Sequence, residues 1–334
     1  MTSWTFRPSV LSLPSYRDAN LPRETFLEYY QSDNDRAVQS DGEATSTQPI
    51  PPRSAKFRTL QWNLNGWTGD SGTLNALTYY KQITATILQA DPDCIILNEY
   101  HWNDSGRTHA QFETTLRGLG YTTQICGTVY CPTFVATRRR ASNTTELLLS
   151  EERSALVLRL EDNEGDFITV IGTHLDFRDG QQRRKEMQTL LSELVCQQQV
   201  SGNPQENYDE HCSESSNDFL IQENTKVILA GDLNQQRQCD YAPEEWDSAI
   251  APNMVKRNTC FDDGVDKLLQ NEGFRCAWDT SPAKTNWTTV HPPSTHWSGT
   301  IVDYSYGRNL RANAVFISPA GWSDHRMTVV DWDW

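Results

Sequence analysis

The 334-residue chain is predicted to fold as an α+β layered sandwich. Short apolar strands alternate with amphipathic helices from Phe57 onward. Some neighbouring strands, such as Ser154–Leu160 and Phe167–Thr173, are joined by a turn too short for anything but a hairpin. Neither a G-x-G-x-x-G run nor a Walker A run is present, so a doubly wound nucleotide-binding sheet is not indicated.

Residues 1–55 read as an N-terminal arm and flexible linker. A helix over Arg23–Gln31 is followed by a stretch rich in Ser, Asp, Thr and Pro, which has too little apolar surface to offset its ordering entropy. The domain expected over 56–334 opens with the strand Phe57–Asn63. A helix over Leu74–Ala90 follows, with Leu77, Tyr80, Ile83, Ile87 and Leu88 near helical period. Asp91-Pro92 then leads into the strand Asp93–Leu97. Thr133–Thr137, Ser154–Leu160 and Phe167–Thr173 are further strands. Gln181–Val200 is a helix with Met187, Leu190, Leu191, Leu194 and Val195 on one face.

An acidic insertion, 197–225, interrupts before the strand Lys226–Ala230. A short helix is expected over Asp262–Asn271, ended by Gly273. The strands Ile301–Tyr306, Ala312–Ser318 and Met327–Trp332 complete the domain.

The formal net charge of −15 argues against a protein that coats nucleic acid by bulk electrostatics. Six carboxylates and no Lys or Arg lie between Gln197 and Thr225, so much of that excess is local. The eight cysteines show no zinc-binding spacing. With no apolar run long enough for a membrane span and no visible secretory signal, the expectation is an intracellular protein, cytoplasmic or nuclear, with reduced thiols. The oligomeric state is left open.

The informative pattern is chemical. Asn63 and Asn65 close the first strand in QWNLNG, and Glu99 closes the second in LNEY. His174 ends the strand in GTHLD, and Asp232 and Asn234 end another in GDLN. Asp303 lies in VDY, and Asp324 and His325 open the last strand in SDH. A lone Asp after a strand is usually a turn former. Six strand ends that each carry a hydrogen-bonding or acidic group would converge if the strands lie side by side.

These blocks, in this order, resemble the endonuclease/exonuclease/phosphatase superfamily over about residues 57–334. The resemblance implies a four-layered α/β/β/α sandwich, two mixed sheets face to face with helices outside, and a metal-dependent phosphoric ester hydrolase. Within the superfamily the tyrosyl-DNA phosphodiesterase branch is most similar. GTHLDF runs into the Arg-bearing helix RDGQQRRKEM, GDLNQQR nearly matches that branch's G-D-x-N-x-R, and AWDT matches its Trp-Asp-Thr run. The chain departs from the family at Asn65, usually Asp, at Asn98, usually Gln, and at Phe177, usually Ser. THWSGTIVDY and the acidic insertion are peculiar to it.

Hydrolysis of a phosphodiester needs an activated water and neutralisation of the charge built up on phosphorus. Mg²⁺, with Mn²⁺ as substitute, is the expected cofactor, because hard divalent ions take oxygen ligands and keep waters. Glu99 is the expected ligand, with Asp324, Asn65 and Asn63 around it. Asp232 would orient or deprotonate the water and Asn234 would hold a phosphoryl oxygen. His174 and His325 would donate to non-bridging oxygens, and Asp303 would fix the tautomer of His325.

Arg178, Arg183 and Arg184 are candidates to grip further phosphates. Trp278, Trp287, His296 and Trp297 are candidates to stack on a base. The expected substrate is a phosphodiester at a nucleic-acid end, as in 5′-tyrosyl-DNA repair or a nuclease. The alternative is a small-molecule or lipid phosphate such as an inositol phosphate or sphingomyelin. A silent binding module is disfavoured by the complete set of groups.

Overall fold

The computed structural model describes residues 50, 52–65, 76–100, 106–128, 131–161, 165–195, 222–256, 264–285, 291–296, 299–318 and 323–334. All of them belong to one compact unit, Ala44–Trp334. The arm up to residue 49, the insertion through residue 221, Trp287 and Trp297 lie outside the described residues.

In chain order the elements begin with β1 (Phe57–Asn63), α1 (Ala76–Ala90), β2 (Cys94–Asn98), α2 (Gly106–Gly118), β3 (Thr122–Cys126) and β4 (Thr133–Thr137). There follow β5 (Ala141–Leu148), β6 (Ser154–Glu161), β7 (Phe167–His174), α3 (Gly180–Val195) and β8 (Lys226–Asp232). After helical turns over 243–256 come α4 (Val265–Asn271), β9 (Arg275–Cys276), α5 (Ala277–Thr280), β10 (Ala283–Thr285), β11 (Asp303–Arg308), β12 (Arg311–Ile317) and β13 (Thr328–Asp333).

Two mixed sheets form, of seven strands in the order β10-β12-β13-β1-β2-β4-β3 and of six in the order β5-β6-β7-β8-β11-β9. They pack face to face, with helices around them, as the expected α/β/β/α sandwich. β1 shows why. It is buried along its whole length and runs parallel to β2 and antiparallel to β13. Alternate residues point to opposite faces, so Gln61 and Asn63 look toward the other sheet while Leu60 and Trp62 look away from it. The sheets approach closely at Gly172, where a Cβ would meet Val135 Cγ2 at 3.0 Å and Ile96 Cγ2 at 3.1 Å. Tyr100 stacks on Phe134 of β4 with ring centroids 4.4 Å apart, and Phe112 of α2 packs against both. On the other side α3 buries Met187, Leu190, Leu191 and Leu194.

The elements without a sequence expectation are α2, β3, β5, the helical turns over 243–256, β9, α5 and β10. β5 (ASNTTELL) is half-exposed along its length and pairs on one side with β6, so a polar sequence suffices there. α2 has only Phe112 and Leu116 as large buried apolar residues, four positions apart, and both are fully buried. β11 begins at Asp303 and not at Ile301. The N–H of Ile301 goes to Tyr241 Oη, and those of Val302 and Asp303 go to Thr295 Oγ1. Among the described residues none of the five cysteines is in a disulfide.

Candidate active site

The strands deliver their polar ends to one rim. In the six-stranded sheet β7 and β8 run parallel with His174 beside Asp232, and β11 pairs antiparallel to β8 with Asp303 beside Asp232. Opposite them β1 and β2 run parallel with Asn63 beside Asn98, and Glu99 follows at once. His325 stands three residues before β13. Gly231 makes the close packing possible, because a Cβ there would lie 1.8 Å from the carbonyl oxygen of Thr173. No side chain is compatible with that distance.

Asn63 is the hub between the sheets. Its Nδ2 donates to Asp232 Oδ2 at 3.0 Å and to Glu99 Oε1 at 3.2 Å, and its Oδ1 accepts the Asn65 N–H at 2.9 Å. His174 Nε2 lies 3.6 Å from Asp232 Oδ2 and 3.9 Å from Glu99 Oε1. His325 Nε2 lies 3.8 Å from the same Asp232 oxygen, while its Nδ1 faces Asp303 Oδ2 at 2.8 Å. The Asn234 N–H donates to Asp232 Oδ1 at 3.0 Å, and its Nδ2 donates to the Leu175 carbonyl at 3.0 Å. Ser323 Oγ donates to the Asn63 carbonyl at 2.7 Å and contacts Asp324 Oδ1 at 3.2 Å, which docks the SDH block on β1.

Three of these residues sit in the left-handed backbone region: Asn65 (φ 46°), Glu99 (φ 48°) and Asn234 (φ 50°). Asn tolerates it; a glutamate there is strained by about 1 kcal/mol, a cost concentrated at functional sites.

The electrostatics follow from burial. Burial, then repulsion from Asp303, raises Asp232 to about 7, against the pull of His325 and the hydrogen bond from Asn63. Burial also raises Glu99. It works against a charged His325 as well, but the Asp303 carboxylate and its hydrogen bond outweigh it and hold the imidazolium up to about 10. His174 is held well below the usual histidine value by burial, with the Arg153 and His325 cations reinforcing the effect. Asp324 lies below its ordinary value, because His296 and His325 overcome the effect of burial.

Two residues of the site had no expectation attached. Gln61 Nε2 donates to Asp303 Oδ1 at 2.8 Å and to Asn98 Oδ1 at 3.3 Å. Asn98 Oδ1 also accepts the Asp232 N–H at 2.9 Å, and its Nδ2 donates to Thr133 Oγ1 and to the Thr173 carbonyl. The signal for both was present: an amide inside an otherwise apolar central strand needs partners.

The expected substrate-gripping residues fare differently. Arg183 is 1% exposed and its Nη1 donates to the Asp176 carbonyl at 3.1 Å, so it fastens the loop after β7 and cannot reach a strand of phosphates. Trp278 is 1% exposed in the core beside Tyr304 and offers no face to a base. Both expectations are overturned for one reason: a basic helix start and an aromatic are as useful inside a fold as outside. Arg178 is exposed, over the half-exposed Phe177 ring at 4.7 Å. Arg184 is exposed and lies against Gly264 at the start of α4, with its guanidinium carbon 3.7 Å from the position a Cβ would take there. Trp297 lies outside the described residues.

The donor set suits a divalent cation. Glu99 and Asp324 are the partly open carboxylates, with side chains 16% and 21% exposed. Glu99, His174 and Asp232 form one group of potential ligand atoms within 4.8 Å of one another. Buried carboxylates crowded in this way need a positive partner.

No protein-family model matches the sequence, and no curated protein does. Solved structures do. The human Nocturnin catalytic domain superposes with a TM-score of 0.58 at 18% identity, over 86% of this chain and 99% of that one. An endonuclease/exonuclease/phosphatase from Beutenbergia cavernae matches with a TM-score of 0.57 at 15% identity, over 84% and 72%. The chain has the endonuclease/exonuclease/phosphatase fold. Humanized D. rerio TDP2 shares that fold with a TM-score of 0.52 at 14% identity, over 84% of this chain and 99% of that one. In this fold the rim described above is the edge where the ends of β1, β2, β7 and β8 meet.

Proposed function

We propose that the chain is a metal-dependent hydrolase of phosphoric esters, with a phosphodiester at a nucleic-acid end as its first substrate class. The observation that carries the reading is the meeting of Asp232 with Asn63, His174, Asn234 and His325 around one carboxylate, beside Glu99. The solved neighbours support it. The Nocturnin structure holds a sulfate anion, a tetrahedral oxyanion like phosphate, and another neighbour is a mannosyl-6-phosphatase from Bacteroides thetaiotaomicron.

Each residue then has a task. Asp232, raised to about 7, accepts a proton from the attacking water near neutral pH. Asn63 and Asn234 aim its two oxygens. His325, kept as the imidazolium by Asp303, donates through Nε2 to a non-bridging phosphoryl oxygen. His174, neutral by burial, stands beside Asp232 and Glu99 and adds a second ring nitrogen to the oxyanion environment. Glu99, with Asp324 nearby, would hold Mg²⁺ or Mn²⁺, which when bound supplies neutralisation of phosphoryl charge. Exposed Arg178 is the side chain suited to a neighbouring phosphate. No Ser or Cys nucleophile is involved, so attack inverts the configuration at phosphorus.

A second reading has its own support. The net charge of −15, together with the burial of Arg183 and Trp278, favours a compact phosphate over a long polyanion. Turnover of a 5′-phosphotyrosyl oligonucleotide, measured beside an inositol phosphate panel and bis-p-nitrophenyl phosphate, separates them. Preference for the oligonucleotide, lost with EDTA and in Asp232→Asn, supports the first reading. Preference for the small phosphates installs the second. Activity that survives both EDTA and Asp232→Asn overturns the assignment of the site.

A further inference from the structure

The THWSGTI stretch that leads into the VDY block places a third imidazole at the rim. Its described backbone is tied together by three hydrogen bonds. The N–H groups of Thr295 and His296 both donate to the Thr300 carbonyl at 3.0 Å, and the Gly299 N–H donates to the His296 carbonyl at 3.0 Å. Gly299 takes a φ of +85°, where an L side chain is disfavoured. The stretch is fastened to both segments that carry the His–Asp pair. Thr295 Oγ1 accepts the N–H groups of Val302 and Asp303, and the Thr295 carbonyl accepts the Arg326 N–H at 2.7 Å.

The consequence is a fixed position for His296. Its Nε2 lies 3.7 Å from Asp324 Oδ2, and its ring meets that of His325 edge-on with centroids 4.7 Å apart. Potential ligand atoms of His296, Asp324 and His325 lie within 4.8 Å of one another. This group is distinct from the one around Glu99; with His325 held as the imidazolium by Asp303, its donors toward a cation are the His296 nitrogen and the Asp324 carboxylate. Mg²⁺ prefers oxygen and dehydrates reluctantly, whereas imidazole suits first-row transition ions. The Ser323 contact holds Asp324 Oδ1 and leaves Oδ2 facing His296.

We propose that His296 is a nitrogen ligand at this rim, so that the Asp324 side of the site takes a first-row transition ion such as Mn²⁺, Co²⁺ or Zn²⁺ in preference to Mg²⁺. The inference deepens the reading of the rim as a cation site and rests on it. It assigns His296 to the cation, in place of the base-stacking role its residue type suggested.

The test uses the full chain without substrate, loaded with less than one equivalent of Mn²⁺, and reads ¹⁴N modulation by pulsed EPR. Titrations of Mn²⁺ and Mg²⁺ accompany it. In His296→Ala and His296→Gln the nitrogen modulation should weaken, and Mn²⁺ affinity should fall about tenfold or more. Mg²⁺ affinity should change far less. Melting curves confirm that at least one variant folds. Unchanged modulation and an unchanged Mn²⁺/Mg²⁺ ratio in a folded variant would overturn the ligand role and leave His296 as a hydrogen-bond partner of Asp324. Mn²⁺ binding that is absent in the unaltered chain, or insensitive to both Glu99→Gln and Asp324→Asn, would overturn the cation reading beneath it.

Discussion

Asp303 Oδ2 stands 2.8 Å from His325 Nδ1, and the strands these residues adjoin, β11 and β13, lie in different sheets. Asp303 opens β11 of the six-stranded sheet, and His325 precedes β13 of the seven-stranded one. Gln61 of β1 holds the other Asp303 oxygen at 2.8 Å. The pair, which the proposed function uses to hold an imidazolium, is also a buried staple across the sandwich.

Asp303→Asn should lower the rate by about 10²–10⁴-fold, because the imidazolium loses its counter-charge and its fixed tautomer. The His325 ring, now held up to about 10, should titrate at lower pH. Histidine ¹³C or ¹⁵N shifts followed across pH check this directly. A rate that falls while the His325 titration stays in place would contradict the coupling.

Asp232 imposes a pH dependence on the metal-free protein. Its folded value of about 7 lies above the ordinary 3.8, so the unfolded chain ionises first and stability falls as pH rises through that interval. His325 acts in a higher window. Its contribution is complete below 6.5 and is lost as pH rises through about 10. Melting temperatures of metal-free protein between pH 4 and 7.5 should decline less in Asp232→Asn, and a saturating cation should flatten the decline in the unaltered chain. An identical slope in Asp232→Asn would refute the attribution.

Asn98→Leu should destabilise the fold by about 2–4 kcal/mol, since it strands the buried Asp232 N–H and the Thr173 carbonyl. Activity per folded molecule should fall too, because both groups flank residues of the site. Asn98→Gln restores an amide and should recover part of the loss. Urea denaturation paired with initial rates measures both effects. Equal destabilisation by Leu and Gln would argue for packing alone.

Trp278→Ala and Arg178→Ala should separate core from rim. The first empties a buried site and should cost about 3–5 kcal/mol of stability, with KM unchanged in the folded fraction. The second alters an exposed side chain and should raise KM with stability nearly unchanged. Thermal melts and saturation kinetics on one phosphodiester decide it; a reversed pattern would restore the stacking role to Trp278.

Strand and helix identities were legible wherever a buried run met a turn, as at β1, β7 and β8. The residues ending those runs were legible too, because Asn63, Glu99, His174 and Asp232 interrupt apolar segments where a core has no use for charge. Gln61 was not singled out and Asn98 was noted only as a departure from the family's Gln, since an amide within a strand reveals its importance only through partners contributed by distant strands. Arg183 and Trp278 misled for the converse reason. Their type suits a ligand, but whether a side chain faces solvent depends on what packs over it.

By itself the sequence determined the alternation of elements and the polar closure of successive strands, both of which are local in the chain. Only the tertiary structure decided which ends meet. It set Asp303 against His325 across two sheets, sealed Arg183 beneath a loop and brought His296 to Asp324. Those relationships join residues far apart in sequence, and their distances are set by sheet order and packing, which no local pattern encodes.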